Sequence, residues 1–115
     1  MNATLRSGAR YRRAMPLVKV KPLAEFPPGE VVELEARGVA YAVCNVDGKL
    51  HCVYGICPHA GGPLGQGALH GNYLTCPWHG FEFDCRTGLN GDDEDMRLDT
   101  YPVVVQDGNV FVDLP

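Results

Sequence analysis

No stretch of this chain approaches the roughly 20 consecutive apolar residues that a membrane-crossing helix needs, and none repeats apolar residues with a sustained helical period. The first absence argues against a membrane-spanning helix. The second points away from helical architectures and towards strands. Positive charge is not in excess: ten Lys and Arg against fourteen Asp and Glu leave a net charge of −4, which counts against a nucleic-acid partner. A secretory leader is not expected either. Arg6, Arg10, Arg12 and Arg13 make a basic start, but Lys19 and Lys21 interrupt Leu17-Val18 where an apolar region should follow. The same gap weakens Arg12-Arg13 as a twin-arginine export signal. Internal repeats and low-complexity tracts are lacking, and no residue set suggests a general acid–base pair or an activated nucleophile.

What is present fits one domain with one modest core: 115 residues, 45% apolar and 21% charged. The five cysteines are an odd number, and without a leader they suggest a reducing, cytoplasmic setting, where Cys and His more often bind metal than form disulfides. Residues 1–15 carry four Arg and no acid. They read as a flexible N-terminal extension, with an organellar targeting segment as the alternative, ahead of a domain at 16–115.

Fourteen glycines and nine prolines are scattered along the chain, as short strands joined by turns require. Expected strands are Leu17–Lys21, Glu30–Ala36, Val39–Val46, Lys49–Ile56, Ala68–His70, Tyr73–Thr75, Phe81–Phe83, Thr100–Gln106 and Asn109–Leu114. Asp47-Gly48, Gly71-Asn72 and Asp107-Gly108 are hairpin turns between them. The expected class is all-β, built of small antiparallel packed sheets.

Chemistry concentrates between residues 57 and 79. Cys57-x-His59 and Cys76-x-x-His79 are separated by sixteen residues, 60 to 75. Each pair offers one thiolate and one imidazole from a Pro/Gly-rich loop, at the end of an expected hairpin. Four such donors meeting at one place can hold zinc or an iron–sulfur cluster. Structural zinc sites usually pair like ligands along the chain, whereas here each loop mixes them.

The stretches Cys57-Pro58-His59-Ala60-Gly61-Gly62-Pro63-Leu64 and Cys76-Pro77-Trp78-His79-Gly80-Phe81-Glu82-Phe83-Asp84, followed by Thr87-Gly88, resemble the cluster loops of Rieske [2Fe–2S] proteins. The resemblance covers roughly residues 16 to 114. It implies two cluster-binding loops at one end of the domain and one [2Fe–2S] cluster per chain. Cys57 and Cys76 would ligate one iron, His59 and His79 the other. Neutral imidazoles leave their iron more positive than thiolates do, so the potential should lie above that of all-cysteine clusters.

The chain departs from the respiratory branch of that family. That branch carries a further, disulfide-linked cysteine in each loop, at positions matching Gly62 and Trp78. It also places potential-raising Ser and Tyr hydroxyls at positions matching Phe81 and Phe83. A potential at the low end of the Rieske range is therefore expected. Trp78 reads either as packing or as an aromatic contact for a partner.

Cys44, Cys52 and Cys85 read as small buried hydrophobes. Cys44 and Cys52 flank the Asp47-Gly48 turn, so a disulfide between them is the less favoured alternative. His51 and His70 read as ordinary strand or surface residues. The acidic run Asp92-Asp93-Glu94-Asp95 reads as a solvated loop, with a docking patch as the alternative. The nearest resemblance is to the soluble Rieske ferredoxins of multicomponent ring-hydroxylating dioxygenases, which implies electron transfer rather than catalysis by this chain. The implied partners are a flavin-dependent ferredoxin reductase and a terminal oxygenase, with neither nucleic acid nor membrane. The small subunit of an assimilatory nitrite reductase and a Cys2His2 zinc module are the alternatives.

Overall fold

Short turns fix where the strands begin and end. Asp47 and Gly48 both sit at positive φ, 52° and 93°, the left-handed pair that a two-residue hairpin requires if its twist is to match the strands. Asp107 and Gly108 repeat this at 54° and 76°. Arg37 and Gly38 form a third such pair, at 54° and 81°. The sequence reading took Gly38 only as the start of a strand, because Arg gives little signal for positive φ. Asn45 braces the first turn from within the core. Its side-chain oxygen accepts from the Gly48 N–H at 2.7 Å, and its amide donates to the Phe26 carbonyl at 2.7 Å.

The computed structural model describes residues 17–93 and 95–115, and the extension expected at 1–15 lies outside them. Ten strands occur among the described residues: β1 (Leu17–Pro22), β2 (Val31–Ala36), β3 (Val39–Val46), β4 (Lys49–Tyr54), β5 (Ala68–His70), β6 (Tyr73–Thr75), β7 (Glu82–Asp84), β8 (Thr100–Tyr101), β9 (Val103–Gln106) and β10 (Asn109–Asp113). All pairings are antiparallel. A central sheet runs β2-β3-β4-β8, an outer sheet β1-β10-β9, and a small sheet β5-β6-β7. The described residues contain no α-helix. The all-β class of small antiparallel sheets is the class found.

The central sheet separates two cores, because side chains alternate across it. Ala42, Cys44 and Val53 face one core, shared with Leu74 and Phe83 of the small sheet. Tyr41, Val43, Leu50 and Cys52 face the other, shared with Val110 and Val112 of the outer sheet. Residues 41–45 of β3 are consequently all buried, which is why Val39–Val46 reads as nearly continuous apolar sequence.

Thr100–Gln106 is not one strand. It breaks at Pro102, with Thr100–Tyr101 paired to β4 and Val103–Gln106 paired to β10. Proline has no N–H to continue a ladder. Its carbonyl still accepts from the Asp113 N–H at 2.9 Å, so the chain passes from the central sheet to the outer one at this point.

Asp84 ends β7 and is clamped by Arg86. Its carboxylate accepts from Arg86 Nε at 3.1 Å, from Nη2 at 2.9 Å and from the Arg86 backbone N–H at 2.9 Å. The guanidinium holds the carboxyl at about 2, against the opposing effect of burial. A carboxyl more acidic folded than unfolded stabilises the fold above its unfolded pKa, and that contribution fades as pH falls through the folded value. Asp84→Asn is therefore expected to lower the urea midpoint at pH 7. The gap to wild type should close between about pH 4 and pH 2, and a gap that persists unchanged to pH 2 refutes the assignment.

Candidate metal centre

The first loop leaves β4 at Tyr54 and is closed at its stem. Ile56 bridges Pro63, and the Leu64 N–H donates to the Gly55 carbonyl at 2.9 Å. Inside the stem, the Cys57 N–H donates to the Gly62 carbonyl at 2.9 Å, and the Gly61 N–H to the Cys57 carbonyl at 2.8 Å. The second loop is the tip of the β6–β7 hairpin. Thr75 and Glu82 are its last paired residues, and the Cys76 N–H donates to the Phe81 carbonyl at 2.8 Å. In both loops the cysteine is pinned by its own backbone at the base, and the histidine lies further out.

Burial follows that arrangement. Cys57 and Cys76 are 2% and 1% exposed, and the two thiols are neighbours. His59 and His79 are both exposed, with ring centroids 5.4 Å apart and planes at 87°. The candidate residues thus come together as two pairs on two loops, Cys57 with Cys76 and His59 with His79. His79 has φ of 68°, a conformation that non-glycine residues adopt only when the surroundings impose it.

Burial pushes the Cys76 thiol up and the neighbouring Cys57 adds to this, while the Trp78 N–H directed at the Cys76 sulfur works the other way. A donor aimed at sulfur is what a metal-bound thiolate uses. Among the described residues no three His, Cys, Asp or Glu side chains converge as ligands of a single ion. A pair of thiols beneath a pair of imidazoles instead fits a group with two metal atoms, one served by each pair.

Gly62 shows why the loops pack so closely. A Cβ there would lie 2.6 Å from the Cys76 sulfur and 3.1 Å from Cγ of Trp78. The two positions that carry an extra cysteine in the respiratory branch thus do face each other, and the Trp78 ring fills the space between them. The outer side of Trp78 stays 49% exposed.

One relationship within the site escaped the sequence reading. Phe81 stacks on His59 with centroids 3.9 Å apart and planes at 17°; only its alternation with the buried Phe83 hinted at a separate role. Cys44 and Cys52 sit at adjacent registers of β3 and β4, opposite His51 and Val43 respectively. They point into different cores and cannot be bridged. His51 lies on β4 beside a groove with Lys49 and Arg86, and His70 is exposed at the end of β5.

Two neighbouring buried thiols and two neighbouring exposed imidazoles on a pair of short loops are the mixed donor set of an iron–sulfur domain. The chain belongs to the Rieske [2Fe–2S] domain family, which it matches over residues 16–102, and the family's cofactor is one [2Fe–2S] cluster. It is 33% identical over 99 residues to the 3-phenylpropionate/cinnamic acid dioxygenase ferredoxin subunit of Escherichia coli K12, covering 82% of this chain and 90% of that one. Its fold superposes on a Sphingomonas yanoikuyae B1 ferredoxin with a TM-score of 0.78 and 32% identity, over 87% of this chain and all (100%) of the other. A ferredoxin solved in complex with the oxygenase of carbazole 1,9a-dioxygenase gives a TM-score of 0.78 and 27% identity, over 84% and 92% of the two chains.

Gly62→Ala is the sharpest probe of the loop contact. The added methyl meets the Cys76 sulfur and the indole together, so iron per chain should fall well below wild type while far-UV circular dichroism stays unchanged. Wild-type iron content in that variant would show that the loops have room to spare.

Proposed function

We propose that this chain takes single electrons from a flavin-dependent ferredoxin reductase and delivers them to a terminal oxygenase, in the cytoplasm, through a [2Fe–2S] cluster held by Cys57, His59, Cys76 and His79. The observation that carries this reading is the division between sulfur inside and imidazole outside. When bound, the cluster supplies a reversible one-electron store. Cys57 and Cys76 would hold it from the protein side, screened from solvent by the loops. His59 and His79 would hold it from the solvent side and keep their outer ring nitrogens available to a partner's hydrogen bonds.

The surroundings support a docking role for the same end. Trp78 is half exposed and presents an amphipathic ring of the kind enriched at interfaces. Beside His79 runs a groove of about 490 Å³, with Tyr73, Phe81 and Met96 on its wall and Asp92 and Asp93 at its acidic side. The Asn90 side-chain oxygen accepts from the N–H groups of Asp92 and Asp93, both at 2.8 Å, which fixes the two acids next to the histidine. Such charge favours a basic partner surface and an association rate that falls with salt. The named relatives are ferredoxin subunits, which supports a carrier over a nitrite reductase subunit.

Purified protein should contain two irons and two acid-labile sulfides per chain. After reduction it should give a Rieske-type EPR spectrum, accept electrons from NADH through a flavin reductase, and be reoxidised by an oxygenase. One zinc and no iron would overturn the ligand assignment. Intact cluster with no transfer from any flavin reductase would overturn the partner assignment.

Phe81 and Phe83 bring no hydroxyl to the cluster sulfurs, so the reduced state lacks that stabilisation. The potential should fall in the lower part of the Rieske range of about −150 to +300 mV. A redox titration above roughly +200 mV contradicts this.

A further inference from the structure

His59 is exposed on the first loop, and no protein hydrogen bond among the described residues holds either of its ring nitrogens. A metal-bound imidazole commonly has its plane fixed by a hydrogen bond from the other nitrogen to a carboxylate or carbonyl. Without one, the torsion that turns the ring is soft. What touches the His59 ring here is aromatic. His79 meets it edge to face, with centroids 5.4 Å apart and planes at 87°. Phe81 lies flat on it, with centroids 3.9 Å apart and planes at 17°.

Phe81 can set that plane because its own position is fixed from two other sides. Its carbonyl accepts the Cys76 N–H at 2.8 Å, at the base of the second loop. Its half-buried side chain also packs on the core shared by the central and small sheets. His79 and Gly80, just before it, are both left-handed, with φ of 68° and 71°, and this pair turns the chain back towards the loop base. One residue thus ties the backbone of a sulfur donor on one loop to the ring of a nitrogen donor on the other. Phe83, two residues on, is fully buried in the same core and takes no part in the ring contacts of either histidine.

We propose that Phe81 is a positioning residue for the metal centre: its ring sets the plane of the His59 imidazole in place of a hydrogen bond, and so leaves the outer nitrogen of His59 free. The inference rests on the reading of His59 as a ligand. A ligand histidine in a carrier has two conflicting tasks. Its ring must be held still, yet a nitrogen tied to its own protein is lost to a partner. Holding the ring by its face removes the conflict, because the edge stays open. Aromatic pairs favour their packed geometry by about two- to tenfold, so removing Phe81 should let the imidazole turn without removing the ligand.

The test uses the full-length, cluster-loaded protein. Phe81→Leu keeps apolar bulk but has no flat face, whereas Phe81→Tyr keeps the ring. Three quantities are compared with wild type: EPR line widths of the reduced protein, the rate of iron loss to a chelator, and the urea midpoint. Phe81→Leu should still load with iron, but its lines should broaden and its iron should leave about two- to tenfold faster. Phe81→Tyr should match wild type in both. Phe83→Leu controls for a loosened core: it should lower the urea midpoint and leave the line widths unchanged. If Phe81→Leu does not fold, Phe81→Met, which is unbranched and also lacks a ring, takes its place. Wild-type line widths and iron loss in the ringless variant, or equal broadening in Phe83→Leu, would overturn the positioning role and leave the ligand assignment standing. A wild-type protein that holds no iron would overturn the ligand assignment and this inference with it.

Discussion

The structure depends on one constraint: two short loops must present unlike donors at different depths on the same spot. A thiolate is unstable when buried alone, because charge is expensive in a low-dielectric interior. An imidazole can ligate in its neutral form and tolerates water on its far side. A thiolate whose charge is shared with a metal tolerates burial, so each donor sits where its own chemistry allows. Cys57 and Cys76 sit at the bases of their loops, against the core. His59 and His79, two and three residues further on, are outside. The unequal spacing of the two motifs follows from this. The first loop is held by a stem bridge at Ile56 and Pro63. The second reaches its histidine through a left-handed backbone at 68°.

Holding loops at such a distance takes more rigidity than a β5-β6-β7 sheet of three-residue strands can supply by itself. The central sheet provides it by being buried on both faces. Ala42, Cys44 and Val53 pack directly beneath Leu74 and Phe83, and the outer sheet covers the opposite side through Val110 and Val112. Gly55 brings the two parts together: a Cβ there would lie 2.7 Å from the Ala40 backbone, so the exit of β4 runs against β3 with no gap. The first loop therefore starts from a strand packed tightly against its neighbour.

The sequence was most legible where local chemistry decides. Asp47-Gly48 and Asp107-Gly108 announce their turns, since Asp and Gly tolerate left-handed backbone, and the two Cys/His motifs announce their loops. Legibility failed where a tertiary relationship decides. Arg37 carries no turn signal and adopts 54° because β2 and β3 pair in full on either side of it. Thr100–Gln106 looks like one strand until Pro102 is seen to sit where the chain changes sheets. Phe81 and Phe83 differ by burial in a way that alternation announces, but that Phe81 would lie flat on His59 depends on two loops meeting.

The Phe81–His59 stack bears on why this site suits transfer rather than catalysis. A ring lying 3.9 Å from an imidazole and nearly parallel to it occupies the face from which a small molecule would approach. On the other side, Trp78 covers the contact between Gly62 and the Cys76 sulfur. What remains open is the imidazole edges, which can form hydrogen bonds but offer no enclosed volume. The groove beside His79 is walled by Glu82, Asp92 and Asp93, and its charge matches a basic macromolecular surface better than an apolar substrate. A carrier of the proposed kind would gain from this arrangement because its contacts must be brief and reversible: the imidazole edges would offer a short path, and the neighbouring acids a steering field without a large buried interface.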